Sequence, residues 1–241
     1  MKTLSCLFIV LPALLMLASC GEPAAQAAAA KSATGSGTGT VVVELYQSQG
    51  CSSCPPANAA LNAIADRSDV IALSFAVTYW DRLGWKDTFA SEAYTDRQYA
   101  YAAALKTDTV YTPQVVLNGK TAIAGNGKGE IDRAVAQAAR LSKSPSITAA
   151  NGAVTIGAGK GSADIVLIHY DPRSQLVSIR AGENGGKKLP HKNIVRKLVT
   201  LGSWSGKVAS FKLPAKADAA WQSVILVQSK KAGPIMTVQR I

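Results

Sequence analysis

The chain has 241 residues, 48% of them hydrophobic and 6% aromatic, and 26 Lys+Arg stand against 15 Asp+Glu for a net charge of +11. The charge is uneven: residues 20–142 carry 10 basic and 11 acidic side chains, and residues 143–241 carry 15 and 4. The basic half lacks an aromatic-interleaved motif, which argues against nucleic acid. It reads as a solubilising surface, the sharper alternative being contact with anionic lipid or an acidic partner.

Residues 1–19 read as a secretory signal. Lys2 starts it, and Leu4 to Ala18 is apolar apart from Ser5 but too short for a permanent anchor. Leu17-Ala18-Ser19-Cys20 resembles the lipobox of bacterial lipoproteins, in which the cysteine is lipidated. The chain is therefore expected in the bacterial envelope, facing the periplasm, with its membrane contact through Cys20. Gly21 and Glu22 do not look like an inner-membrane retention signal, which favours the outer membrane. Residues 20–40 are rich in Ala, Gly, Ser and Thr and form a flexible linker, reaching about 25 Å for about twenty residues. Cys6 leaves with the signal and Cys20 takes lipid. Cys51 and Cys54 alone remain, in a compartment where a disulfide persists.

Val41 to Tyr46 predicts a buried strand, and Ser53 to Asp66 a helix that tolerates Pro55 and Pro56 because they fall in its first turn. Val70 to Val77 is strand-like, and Tyr79 to Ala90 is an aromatic and polar loop. Glu92 to Lys106 is helical, Val115 to Leu117 a strand, and Asn118-Gly119 a hairpin turn into Lys120 to Ala124. Gly129 to Leu141 closes this part as a helix. From residue 143 the texture changes to short strands: 146–150, 153–156, 163–170, 176–180, 195–201, 208–213, 224–228 and 236–240. The expected architecture is α/β, with a domain over 41–142 followed by a small, basic β-sandwich over 143–241.

Cys51-Ser52-Ser53-Cys54 joins the first strand to the first helix. A thiolate is the nucleophile of disulfide exchange, and a helix N-terminus favours its charge. Cys51, just before the helix, is the expected attacking sulfur, and Cys54, inside its first turn, the resolving one. The order β-α-β-α-β-β-α, with Cys-x-x-Cys opening the first helix and Pro113 the third strand, resembles the thioredoxin fold. That resemblance implies a cis Pro113 facing the disulfide, with Thr112 free to pair with an extended substrate. It also implies a buried acid near Cys54 that moves a proton, and Glu44 is the candidate, the alternative being a salt-bridged carboxylate. Trp80 would form a peptide-binding rim if exposed and would pack under its loop if buried. The two histidines lie in the C-terminal part, His169 as a core or edge residue and His191 as loop surface. No metal site and no organic cofactor are expected.

Val42-Val43-Glu44-Leu45, Ser48 to Pro56, Tyr79 to Asp87 and Tyr111-Thr112-Pro113-Gln114 resemble an exported thioredoxin-like family of unknown function (domain of unknown function 1223). Gly182-Glu183-Asn184, His191 to Arg196 and Gly233-Pro234-Ile235 look like the same family. The resemblance implies thiol chemistry without naming a substrate. Ser-Ser between the cysteines, where Gly-Pro is usual, and the appended β region set it apart from general reductases. The expected function is thiol–disulfide exchange on exported proteins or peptides. The alternatives are a module that grips Cu(I) with both thiolates and a structural lipoprotein whose disulfide staples a turn.

Overall fold

In the computed structural model, which describes Met1 and residues 39–241, the first strand is β1 (Val41–Gln47), buried along its whole length. A largely β-branched and apolar run, interrupted by Glu44, suits a strand covered on both faces. Helix α1 (Cys54–Ile64) follows, with Pro55 and Pro56 in its first turn, where a missing N–H has no partner to lose. Strand β2 (Val70–Ala76) runs parallel to β1. A loop containing a short 3-10 turn at Asp81–Leu83 leads to α2 (Glu92–Leu105). Next come the antiparallel pair β3 (Gln114–Leu117) and β4 (Thr121–Ile123), then α3 (Glu130–Gln137). The hairpin turns on Asn118 and Gly119 at φ 52° and 64°, the left-handed pair that a type I′ turn demands. The expected signal, the lipidation site Cys20 and the linker lie outside the described residues, apart from Gly39 and Thr40.

Alternate residues of β1 build two cores. Val41, Val43 and Leu45 pack on Ala57, Leu61 and Ile64 of α1 and on Ile131 and Val135 of α3. Val42 and Tyr46 face the other way, toward Tyr94 and Tyr101 of α2. This parity decides where every β1 side chain points.

The second half begins with β5 (Ile147–Ala150), β6 (Ala153–Ile156), β7 (Ala163–Asp171) and β8 (Gln175–Ser178). It continues with β9 (Lys188–His191), β10 (Ile194–Trp204), β11 (Ala209–Lys212), β12 (Gln222–Ser229) and β13 (Ile235–Arg240). These strands do not form a sandwich of their own. The long sheet has the order β13-β12-β7-β10-β2-β1-β3-β4, so strands from both sides of residue 143 share it. The seam is β10 beside β2, parallel, with Ile194 opposite Ser74. Across it the Ser74 N–H donates to the Asn193 carbonyl at 2.9 Å, and the Asn193 amide donates to the carbonyls of Ala72 (2.9 Å) and Ala65 (3.3 Å). The Ile235 N–H donates to the Asn118 carbonyl at 2.9 Å, which ties β13 to the β3–β4 turn. The core on the α2 side runs without a break from Tyr46 and Phe75 to Ile168, Tyr170 and Leu226. Residues 39–241 accordingly belong to one compact unit. Sandwich-like packing survives locally. The three-stranded sheet β11-β6-β5 contributes Val154 and Ile156 to a third core with Ile165 and Leu167 of β7, Ile225 and Val227 of β12, and Trp204.

Candidate functional site

Cys51 and Cys54 form a disulfide, with Cα atoms 5.4 Å apart. Cys54 opens α1 and Cys51 ends the loop from β1. Both residues are buried, at 0% and 1% exposure, while Ser52 and Ser53 between them are exposed. The Ser53 hydroxyl lies 3.3 Å from Cys51 Sγ and donates to the Thr112 carbonyl, also at 3.3 Å. The Thr112–Pro113 peptide is cis. Trp80 is half-buried, and its Nε1–H donates to Thr112 Oγ1 at 2.7 Å. The structure thus brings together Cys51, Cys54, Thr112, Pro113 and Trp80. Trp80 packs its ring against the α2-side core, as the buried alternative expects, and its polar edge fixes Thr112.

Glu44 is not part of this cluster. Its place in β1 alternates with the α1-facing Val43 and Leu45, so its side chain lies on the α2 face, away from Cys54. There Arg97 donates to Glu44 Oε1 from Nη2 (2.8 Å) and Nε (3.2 Å), and also to Tyr101 Oη and Gln228 Oε1 at 3.0 Å each. Glu44 and Arg97 side chains are only 1% and 8% exposed. Burial alone would lower the pKa of Arg97, but the Glu44 charge reverses this and leaves it above the ordinary value. The expected proton-relay role gives way to a structural ion pair joining β1, α2 and β12.

The acid that does support the cysteine loop is Asp87, which sequence reasoning did not single out. It is buried; its two carboxylate oxygens accept the N–H groups of Gln49 (2.7 Å) and Phe89 (2.8 Å). Burial pushes its carboxyl up to about 6, against the pull of those two donors. Trp85 Nε1–H donates to Gln49 Oε1 at 2.9 Å. Trp85 and Asp87 therefore hold, through Gln49, the loop that ends in Cys51.

The C-terminal half covers the other side. A strap, Gly182-Glu183-Asn184-Gly185-Gly186, lies against residues 49–52. The Asn184 amide, fully buried, donates to the carbonyls of Cys51 (2.7 Å) and Gln49 (2.9 Å). Glu183 Oε2 accepts the Ser52 N–H at 3.0 Å, which draws its carboxyl below the ordinary glutamate value. Lys187 Nζ donates to Asn184 Oδ1 at 2.8 Å. Gly182, at φ 71°, leaves room for Gly50 and Trp85: a Cβ there would stand 3.3 Å from Trp85 Cβ. Further on, Asn58 and Asn62 of α1 both donate to the Pro190 carbonyl, at 2.7 and 2.9 Å. His191 is not loop surface but buried at 1% exposure, with neither ring nitrogen hydrogen-bonded. Its ring meets the edge of Phe89 at 5.6 Å, and burial pulls its pKa down to about 4. Among the described residues, no group of three or more His, Cys, Asp or Glu side chains is placed to hold a metal ion.

A family described as "Protein of unknown function (DUF1223)" matches residues 42–228. No curated protein matches the chain. A crystal structure of a protein from Agrobacterium tumefaciens is 35% identical, with a TM-score of 0.66 over 83% of this chain and 93% of that one. The structure of HBP35 of Porphyromonas gingivalis shares 12% identity and a TM-score of 0.51, over 84% of this chain and 74% of its own. This second likeness is one of fold alone.

Proposed function

The chain belongs to this family of unknown function (DUF1223), and on that premise we propose that it is an exported thiol–disulfide oxidoreductase acting on protein or peptide thiols. The observation that carries the reading is the Cys51–Cys54 disulfide at the start of α1, linked through Ser53 to the Thr112 carbonyl. The strand order β2-β1-β3-β4 within the long sheet, with α1 and α3 on one face and α2 on the other, supports a thioredoxin-like core.

The chemistry follows from position. A partner thiolate attacks Cys51 Sγ, the S–S bond breaks, and Cys54 leaves as a thiolate at the N-terminus of α1. A second partner thiolate then attacks the partner sulfur of the mixed disulfide and releases Cys51. Two electrons pass from partner to protein; the reverse sequence oxidises the protein's dithiol and reduces a partner disulfide. The buried Cys51 sulfur must first be uncovered, and the Ser53 hydroxyl beside it is the group to displace. A partner backbone N–H that takes over the Thr112 carbonyl would release that hydroxyl. Trp80, by fixing Thr112, sets where the partner lies.

We further propose that lipidated Cys20 anchors the protein in the envelope, where such partners occur. The test is to express Cys54→Ala in the native envelope. A mixed disulfide between Cys51 and an exported protein, absent in the Cys51→Ser control, is the expected result. Recovery of no partner under conditions that preserve mixed disulfides would count against exchange.

A further inference from the structure

Sequence and topology place the strap far from the cysteines in the chain, yet it ends on their backbone. Glu183 puts a full negative charge on the N–H of the residue next to Cys51. The segments packed around Cys51 carry other ionisable groups: Asp81, Arg82, Lys86 and Asp87 in the loop after β2, Tyr111 before β3, Lys187 and Lys188 after the strap, and His191 in β9. Asp87 is bonded at Gln49 and Lys187 at the Asn184 amide. Among the described residues, Glu183 is the one charged side chain hydrogen-bonded within 51–54.

We propose that Glu183 is a positioning residue that sets the redox poise of the Cys51–Cys54 pair, opposing the Cys51 thiolate and so favouring the disulfide. The inference rests on the thiol-exchange reading above. When the pair is reduced, the charge developing on Cys51 meets the carboxylate already seated at the Ser52 N–H. That N–H, the first backbone donor after Cys51, is then unavailable to the thiolate. Asn184 keeps the strap in place through the Cys51 and Gln49 carbonyls. Disfavouring the thiolate makes the dithiol less stable relative to the disulfide. The pair then gives up its two electrons more readily than the helix N-terminus alone would allow. The strap thus gives the C-terminal half a direct hold on the direction of exchange.

The clean perturbation is Glu183→Gln, which keeps a carbonyl acceptor for the Ser52 N–H and removes the charge. A unit charge seated on the next residue's N–H and screened by water is worth about a two- to fourfold change in an equilibrium. The dithiol–disulfide equilibrium against a glutathione buffer is expected to move toward dithiol by that factor. This corresponds to about 10–20 mV at 29.6 mV per tenfold. In a Cys54→Ala background, Cys51 alkylation at fixed neutral pH should quicken by a similar factor. Both effects should shrink as salt is added. Lys187→Met, which removes the neighbouring positive charge, should shift the equilibrium the other way. An unchanged equilibrium in Glu183→Gln, or a shift insensitive to salt, overturns the proposal. The glutathione equilibrium needs no physiological partner. A shift of the predicted sign with no partner trapped would sink the exchange function and leave the Glu183 role standing; trapping without the shift would do the reverse.

Discussion

Replacing Arg97 by Met removes the cation from a site that holds a buried carboxylate. Glu44 is left without its cation in a setting where its side chain is 1% exposed and its second oxygen, Oε2, already lacks a partner. The variant also strips a donor from Tyr101 Oη and Gln228 Oε1. Breaking a buried pair by deleting one partner costs about 3–5 kcal/mol, because the surviving charge is left uncompensated. For a domain of this size about 2–4 °C of Tm follows each kcal/mol, which gives a fall of about 6–20 °C. Thermal unfolding and urea titration of Arg97→Met measure it. The double variant Glu44→Gln/Arg97→Met removes both charges and should recover at least about 2 kcal/mol of the loss. An Arg97→Met loss under about 1 kcal/mol, or a double variant no more stable than the single, would refute the assignment of this pair as the joint between β1, α2 and β12.

Three further outcomes are expected. Asp87, with its carboxyl raised to about 6, holds its proton more readily in the folded state, so its contribution is full at acid pH and lost as pH rises through about 6. His191, lowered to about 4, acts in the opposite sense, and its contribution is lost as pH falls from the ordinary imidazole range to about 4. Each is worth about 3 kcal/mol, so they largely cancel between those two values. His191→Leu should therefore gain stability on acidification across that window where the wild type stays nearly level, and a variant profile parallel to the wild type's would defeat this account. Ser53→Ala removes a hydroxyl that, once turned from the Thr112 carbonyl, would donate to a Cys51 thiolate. It should move the glutathione equilibrium toward disulfide by about fivefold, the worth of about 1 kcal/mol; no movement would show that the hydroxyl is idle. Asn193→Ala takes away the amide that bonds Ala65 and Ala72 across the β2–β10 seam. A loss of about 2–3 kcal/mol in a single cooperative transition is expected, and two separate transitions for residues 41–142 and 143–241 would contradict the shared sheet.

The elements written in local chemistry were legible. Pro55-Pro56 marked the first turn of α1, Asn118-Gly119 the hairpin, and the apolar run from Val41 the first strand. The cluster of Cys51, Cys54, Thr112, Pro113 and Trp80 was also legible, because each residue stands at the end of a recognisable element. The joining of the two halves was not. It depends on Ser74 meeting Asn193, 119 positions along the chain, and no period or turn signal records such a meeting. The direction of Glu44 was hidden for a different reason. A strand buried on both faces has no polar side, so its pattern cannot say which way a carboxylate points. The signal lay in α2, where Arg97 interrupts the stripe Tyr94, Gln98, Tyr101 and calls for a buried partner. The glycine-rich stretch around Asn184 stood out as a motif. Its grip on the Cys51 carbonyl, 133 positions away, is a fact of the fold alone.

The central claim is that the Cys51–Cys54 pair exchanges with other thiols. The most direct measurement follows the redox state of a fluorescent dithiol peptide mixed with the oxidised protein, beside Cys51→Ser and Cys54→Ser. The account predicts disulfide formation in the peptide matched by reduction of the protein, and loss of this turnover in Cys51→Ser. A pair that stays oxidised while the peptide remains reduced, or turnover that survives in Cys51→Ser, would contradict it.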